Sequence, residues 1–158
     1  MYKKIINPDH ELLFTHSHQR ELEKPNPIIL NSIARAEMYI ANTFVHLREQ
    51  AVYGIMLSTR QVLLETRPIL CGKFSLKDLS HGLIIGHVIQ ANATRLILVH
   101  HNPAGEISVK DKHLLQACRL KETLLEYSLL LDDFILVSKT SGNGNQMSTM
   151  SLARLGLV

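Results

Sequence analysis

Aromatic residues are scarce in this 158-residue chain: it has no tryptophan, and phenylalanine and tyrosine together make up only 5% of it. Hydrophobic residues still account for 46% of the sequence. The core must therefore be built mainly from aliphatic side chains. This content excludes a disordered chain, and the length suits a single ordinary domain.

Cysteines and long apolar runs are also few. Cys71 and Cys118 lie far apart, in apolar segments, and belong to no Cys-x-x-Cys pair. We expect two reduced, buried thiols rather than a disulfide. No apolar run approaches the roughly 20 residues that span a bilayer, and the N-terminus lacks the apolar core of a signal peptide. The sequence thus predicts a soluble, cytoplasmic protein with no membrane partner.

The charge balance is mildly basic, with a net charge of +3 and a pI of about 9.0. This permits contact with nucleic acid but does not by itself indicate it. Nine histidines are many for this length and give a reason to look for a metal site.

Residues 1–24 are polar and weakly periodic, and we interpret them as an N-terminal arm before a domain at 25–158. Pro25 and Pro27 disfavour helix just before them. Apolar spacing then predicts a helix over 27–46. Two strands, 50–58 and 61–70, follow with a short turn between them, as expected of an antiparallel hairpin.

The second half alternates helices and strands. Ser75 and Asp78 form a short capping box for a predicted helix that extends to about 92, with Gly82 and Gly86 allowing close approach to a sheet. Strand 94–101 is continuously apolar, which is typical of a central strand. We expect a further helix at 109–127, a strand at 129–139, a loop at 140–146, and a terminal strand or turn. This order predicts an α/β fold, a single-domain mixed sheet flanked by helices.

The segment RLILVHHNPAGEISVKDKHLL, residues 95–115, holds the residues of greatest interest. Alternate strand residues share a face, so His100 and Asn102 should point to one side and His101 to the other. Asp111 falls on the same helical face as Leu114 and should point inward.

Two interpretations of this segment remain open. A histidine and a carboxylate brought together by the Asn-Pro-Ala-Gly turn suit zinc. Alternatively, Ser108 caps the helix, Asp111 complements the helix dipole, and the histidines hydrogen-bond the turn.

The chain from about residue 28 onward resembles the RadC-type JAB/MPN domain, a branch of the JAMM metalloprotein class. The matching pieces, in order, are REQAVYGIMLS, IQANATRLILV, HHNPAG, SVKD, LLLDDFILV and MSLARLGLV. The family has HNHPSG in place of HHNPAG. The resemblance implies the cytidine-deaminase-like JAB/MPN architecture.

The resemblance also implies a ligand set. His100 matches the first ligand histidine, Asn102 stands where the second should be, and Asp111 matches the ligand aspartate. Ser108 matches the serine that helps to hold the oxyanion. Because the motif is His-His-Asn and the following loop is two residues shorter than usual, His101 would join the ligands only through a bulge in the strand.

The general base of the family is a glutamate at the start of the first strand. An ungapped match makes it Glu49, which we favour because only a carboxylate can take a proton from metal-bound water. A one-residue gap makes it Gln50 instead.

The resemblance therefore implies a zinc-dependent peptidase or isopeptidase with an altered metal site, whose zinc is bound weakly or not at all. In that mechanism Glu49 deprotonates the water and Ser108 stabilises the oxyanion. One alternative is a catalytically inactive module that binds a protein or peptide partner. Another is a nucleic-acid-binding domain associated with DNA repair. For each of these functions, a homo-oligomer is one expected form of the protein.

Overall fold

A five-stranded mixed sheet organises the chain in the computed structural model, which describes residues 26–103, 107–139 and 146–158. Its strands are β1 (Ala51–Leu57), β2 (Leu63–Cys71), β3 (Arg95–His101), β4 (Leu130–Lys139) and β5 (Met147–Ser151). The sheet order is β2-β1-β3-β4-β5. β3 and β4 run parallel and the other neighbouring pairs antiparallel. The predicted mixed α/β sheet is confirmed.

Helices cover both faces of this sheet. They are α1 (Ile33–Phe44), α2 (His81–Gln90) and α3 (Asp111–Glu126). The face that carries Leu96 and Leu98 packs against α2 and α3 in one aliphatic cluster. The opposite face, with Ile97 and Val99, packs against α1 in a second cluster. Because β3 is buried on both sides, its residues 96–99 form a continuous apolar run, as predicted.

The β1–β2 hairpin also agrees with prediction. The two strands pair antiparallel from Ala51↔Cys71 to Leu57↔Leu63. Gly72 ends β2 with a φ of +83°, a left-handed conformation that favours glycine. β2 is an edge strand of the sheet, and it contains the exposed Pro68.

Helix α1 is shorter than predicted. It begins at Ile33, where Ser32 accepts a hydrogen bond from the backbone N–H of Arg35. The preceding residues are extended instead, and Ile29 pairs with Val62 beside β2. The predicted helix over 27–46 was wrong there because sheet pairing outweighed a weak helical periodicity.

The predicted helix from Ser75 to residue 92 is two separate elements. Ser75 and Asp78 do form the capping box, but it closes a 3-10 turn over Leu76–Asp78. Helix α2 then starts at His81, and its cap is Ser80, which accepts from the N–H of Leu83.

The glycines of α2 do not bring it close to the sheet, contrary to the prediction. A Cβ built on Gly82 or Gly86 would meet no atom within 4 Å, so both positions face open space. The packing of α2 depends on Ile84, Ile85 and Val88, which are buried on its other side.

Cys71 and Cys118 are exposed free thiols, so their predicted burial was also wrong. Cys71 stands at the end of an edge strand, and Cys118 lies on the outer side of α3. The N-terminal arm and the loop at 140–145 lie outside the described residues. Within the described ranges, no helix is long and apolar enough to cross a membrane.

Candidate functional site at the end of strand β3

The two histidines at the end of β3 point to opposite faces of the sheet. His100 pairs with Val52 and His101 with Ala51 without a register shift. Both are buried, with 5% and 0% of their surface exposed. Regular pairing excludes the bulge that His101 would need to join His100, so His101 does not reach the predicted metal position.

The side chain next to His100 belongs to Gln50. Its amide nitrogen Nε2 lies 3.2 Å from Nε2 of His100. Glu49 is exposed, and it is its backbone carbonyl that accepts a hydrogen bond from Nδ1 of His101, at 2.8 Å. The structure thus favours the gapped match, in which Gln50 stands at the glutamate position, over our preferred Glu49.

The start of α3 also differs from prediction. The N-cap is Lys110 rather than Ser108, and the helix begins at Asp111. The backbone N–H of Lys110 donates to Nδ1 of His113 at 3.1 Å, so a histidine stabilises this helix end. Ser108 lies two residues before the cap and is half-buried.

Asp111 is exposed, so the prediction that it points inward was wrong. No hydrogen bond or ion pair joins it to His100 in the part of the chain that the structure describes. The error is one of helical phase, because α3 carries two apolar stripes. The structure buries the stripe of Ala117, Leu120 and Leu124, whereas Leu115 on the other stripe is 50% exposed.

His113 occupies the place predicted for Asp111 and was missed in the sequence. It is 95% buried, and its ring centroid lies 5.5 Å from that of His100. A signal was present, since His113 precedes Ala117, Leu120 and Leu124 by four, seven and eleven residues. That spacing places it on the buried helical face.

The rings of His100 and His113 share an apolar setting. The ring centroid of Phe74 lies 5.9 Å from that of His100, and the rings of Phe134 and His113 meet edge to face with centroids 6.2 Å apart. Burial lowers the pKa of His100 from 6.5 to about 4, with further lowering by His113, Lys112 and His101. Burial, followed by Lys112 and Lys110, lowers the pKa of His113 to about 4 as well. Both imidazoles are therefore neutral at pH 7.

A small cleft opens beside these two rings. Asn102 and Ser108 line it with an amide and a hydroxyl, and Ile107 adds an apolar wall. The described side chains that line the cleft offer hydrogen bonds without a fixed charge.

These residues do not fit the zinc site that the resemblance implied. No group of three His, Cys, Asp or Glu side chains suited to a metal occurs among the described residues. Position 102 offers an amide, which is a poorer zinc ligand than imidazole. The predicted carboxylate ligand, Asp111, faces solvent.

The sequence-family model of the RadC-like JAB domain matches residues 30–156 of this chain. The chain belongs to the RadC-like JAB domain family. A similar protein is a UPF0758 protein of Streptococcus suis (strain 98HAH33), which is 24% identical over 92 residues. The match covers 58% of this chain but only 37% of that relative, so the chain spans well under half of the protein it resembles.

Membership in the RadC-like JAB family accounts for the order of strands and helices around the site. The side chains at positions 50, 102 and 111 decide which chemistry is possible at this site.

Proposed function

We propose that this RadC-like JAB domain is a catalytically inactive module that acts by binding a protein or peptide partner. The observation that supports this most is the contact between the Gln50 amide and Nε2 of His100, at 3.2 Å. An amide cannot take a proton from water, so the residue next to His100 cannot serve as a general base.

The residues around that contact argue in the same direction. Hydroxide formation on zinc requires a firmly held ion with an open position for water. Asn102 and the exposed Asp111 leave His100 without two of its expected co-ligands. Glu49 retains a carboxylate, but its side chain is exposed to solvent while its backbone carbonyl faces His101.

The cleft beside the histidines supports the binding part of the proposal. Asn102 and Ser108 can both donate and accept hydrogen bonds, and Ile107 supplies apolar contact. The cleft, about 30 Å³ in volume, has room for one small polar group, which a backbone N–H or C=O of a peptide can supply. The described side chains that line the cleft are uncharged, which suits the neutral backbone of a peptide. A role in DNA repair and a cytoplasmic location stay predictions.

The catalytic part is tested by measuring zinc in protein purified without a histidine tag, before and after zinc addition, together with a peptidase and isopeptidase screen. We expect substoichiometric zinc and no turnover. A Glu49→Gln variant is screened in parallel. Turnover by the wild type that disappears in this variant would refute the proposal and identify Glu49 as the base.

The binding part is tested with a library of extended peptides, using amide chemical shifts of the full chain as the readout. We expect shifts around residues 102 and 108, and at least tenfold weaker binding by Asn102→Ala and Ser108→Ala. Asn42→Ala is the matched control, because Asn42 is exposed on α1 at the opposite face. Binding to duplex DNA with a steep salt dependence, in place of peptide binding, would contradict the proposal.

A further inference from the structure

The two histidines at the end of β3 both contact one dipeptide, Glu49–Gln50, which lies just before β1. His101 reaches the backbone of Glu49 from the α1 side of the sheet, with Nδ1 2.8 Å from the carbonyl oxygen. His100 reaches the side chain of Gln50 from the other side, with 3.2 Å between the two Nε2 atoms. The backbone carbonyl of Gln50 also accepts from the N–H of Gly72, at 2.9 Å.

The chemistry of each partner fixes where the proton of each ring lies. A carbonyl oxygen can only accept, so His101 must carry its proton on Nδ1. The Gln50 amide nitrogen can only donate, so Nε2 of His100 accepts and its proton lies on Nδ1 as well. In His113 the arrangement is reversed, since Nδ1 accepts from the N–H of Lys110 and the proton lies on Nε2.

Among the residues that the structure describes, this arrangement leaves Nε2 of His101 buried without a hydrogen-bond partner. A buried acceptor without a partner is unfavourable, because it has lost its hydrogen bonds to water. His101 is nevertheless fully enclosed, and its Nδ1–H holds the Glu49 carbonyl. The unpaired Nε2 of His101 is consistent with a positioning role, in which Nδ1 holds the Glu49 carbonyl and so fixes the next residue, Gln50.

We propose that the Gln50 side-chain amide takes the place of a metal ion on His100, and that His101 is the positioning residue that holds Gln50 there. The lone pair on Nε2 of His100 is the one that a metal would use, and the amide N–H occupies it. This inference rests on the proposed inactive state: beside the missing co-ligands at positions 102 and 111, it names a residue that occupies the ring nitrogen of His100.

The proposal predicts a gain of metal binding when the amide is removed. In Gln50→Ala, Nε2 of His100 becomes free, whereas Nδ1 of His113 still accepts from Lys110 and its Nε2 still carries a proton, so the titration reports on His100. Titration with cobalt(II), followed by its visible absorption, should show at least tenfold tighter binding than in the wild type. Gln50→Ala/His100→Ala should lose this gain. Gln90→Ala, which removes an exposed amide on α2, should leave cobalt binding at the wild-type level.

Nitrogen chemical shifts of the imidazoles at pH 7.5 provide a second readout that does not depend on metal. The wild type should show the proton on Nδ1 in His100 and His101 and on Nε2 in His113. His101→Phe should disturb the His100 nitrogens although residue 101 lies on the other face. His101→Asn, whose amide N–H lies at the position of Nδ1, should restore them. Denaturant unfolding of each variant confirms that it is folded.

Equal cobalt affinity in wild type and Gln50→Ala, or a proton on Nε2 of His100 in the wild type, would overturn the inference. Either result would leave the proposed inactivity intact. Stoichiometric zinc and turnover in the wild type would instead contradict the proposed function itself, so the two failures are distinguishable.

Discussion

Acidification should destabilise this protein well above the pH at which most carboxylates titrate. The ordinary pKa of histidine is 6.5, whereas the folded-state pKa values of His100 and His113 are about 4. The unfolded chain therefore binds more protons than the folded one between these values. Stability is fully present above pH 6.5 and is lost as the pH falls from 6.5 toward 4.

The size of the effect follows from the two pKa values. Each histidine should lower the free energy of unfolding by about 2 kcal/mol at pH 5 and about 3 kcal/mol at pH 4, relative to pH 7.5. Together the pair should remove about 4 kcal/mol by pH 5. That is a large share of the 5–15 kcal/mol that typically stabilises a domain.

The assay is urea unfolding at pH 7.5, 6.5, 5.5 and 5.0, for the wild type, His100→Gln and His113→Asn. Each variant should lose about half of the pH dependence, whatever its stability at pH 7.5. His46→Gln, at an exposed position, is the control and should keep the wild-type dependence. A wild-type stability that is constant between pH 7.5 and 5.0 would refute the reasoning, as would an unchanged dependence in His100→Gln.

Three further changes test the packing. Gly86→Ala should raise the free energy of unfolding by about 0.5–1 kcal/mol, because the added methyl group meets no neighbour and alanine favours helix. Leu120→Ala should lower it by about 2–5 kcal/mol, since this side chain is fully buried. Leu115→Ala, at a half-exposed position of the same helix, should change it by less than about 0.5 kcal/mol. Cys71 and Cys118 should both react with a thiol reagent at the rate of exposed cysteines without unfolding, as measured by absorbance.

Two results would contradict these expectations. Gly54→Ala is the control for Gly86→Ala. A Cβ at position 54 would lie 3.0 Å from Cε of Met56, so this variant should not raise the free energy of unfolding. A loss of stability in Gly86→Ala would show that α2 has a close neighbour there. Thiols that react only in denaturant would restore the original prediction of buried cysteines.

Strands β1, β3 and β4 were predictable because each contains a short apolar run bounded by turn residues. β3 and the β1–β2 hairpin match the predicted segments to within about two residues at each end. The helices were predictable in position, but less so in which face is buried. In α3 both the Leu115–Cys118 stripe and the Leu120–Leu124 stripe are apolar, so periodicity alone could not distinguish them.

The candidate site was predictable only in part, for a related reason. The position of His100 followed from the end of β3. The partner of His100 depended on how one residue at the start of β1 faces the sheet, and adjacent residues point in opposite directions. The sequence therefore predicted Glu49 beside His100, where the structure has the next residue, Gln50. An error in the helical phase of α3 likewise predicted Asp111 where the structure has His113.

The exposed Pro68 in strand β2 has a consequence for how this protein behaves at high concentration. An edge strand with free backbone N–H groups can recruit a strand from another molecule and start aggregation. Proline has no N–H to donate, and the ion pair between Glu65 and Arg67 places charges beside it. This side of the sheet is thus protected against growth by strand addition, so copies of the chain that associate should do so through their helices or through the short β5 edge.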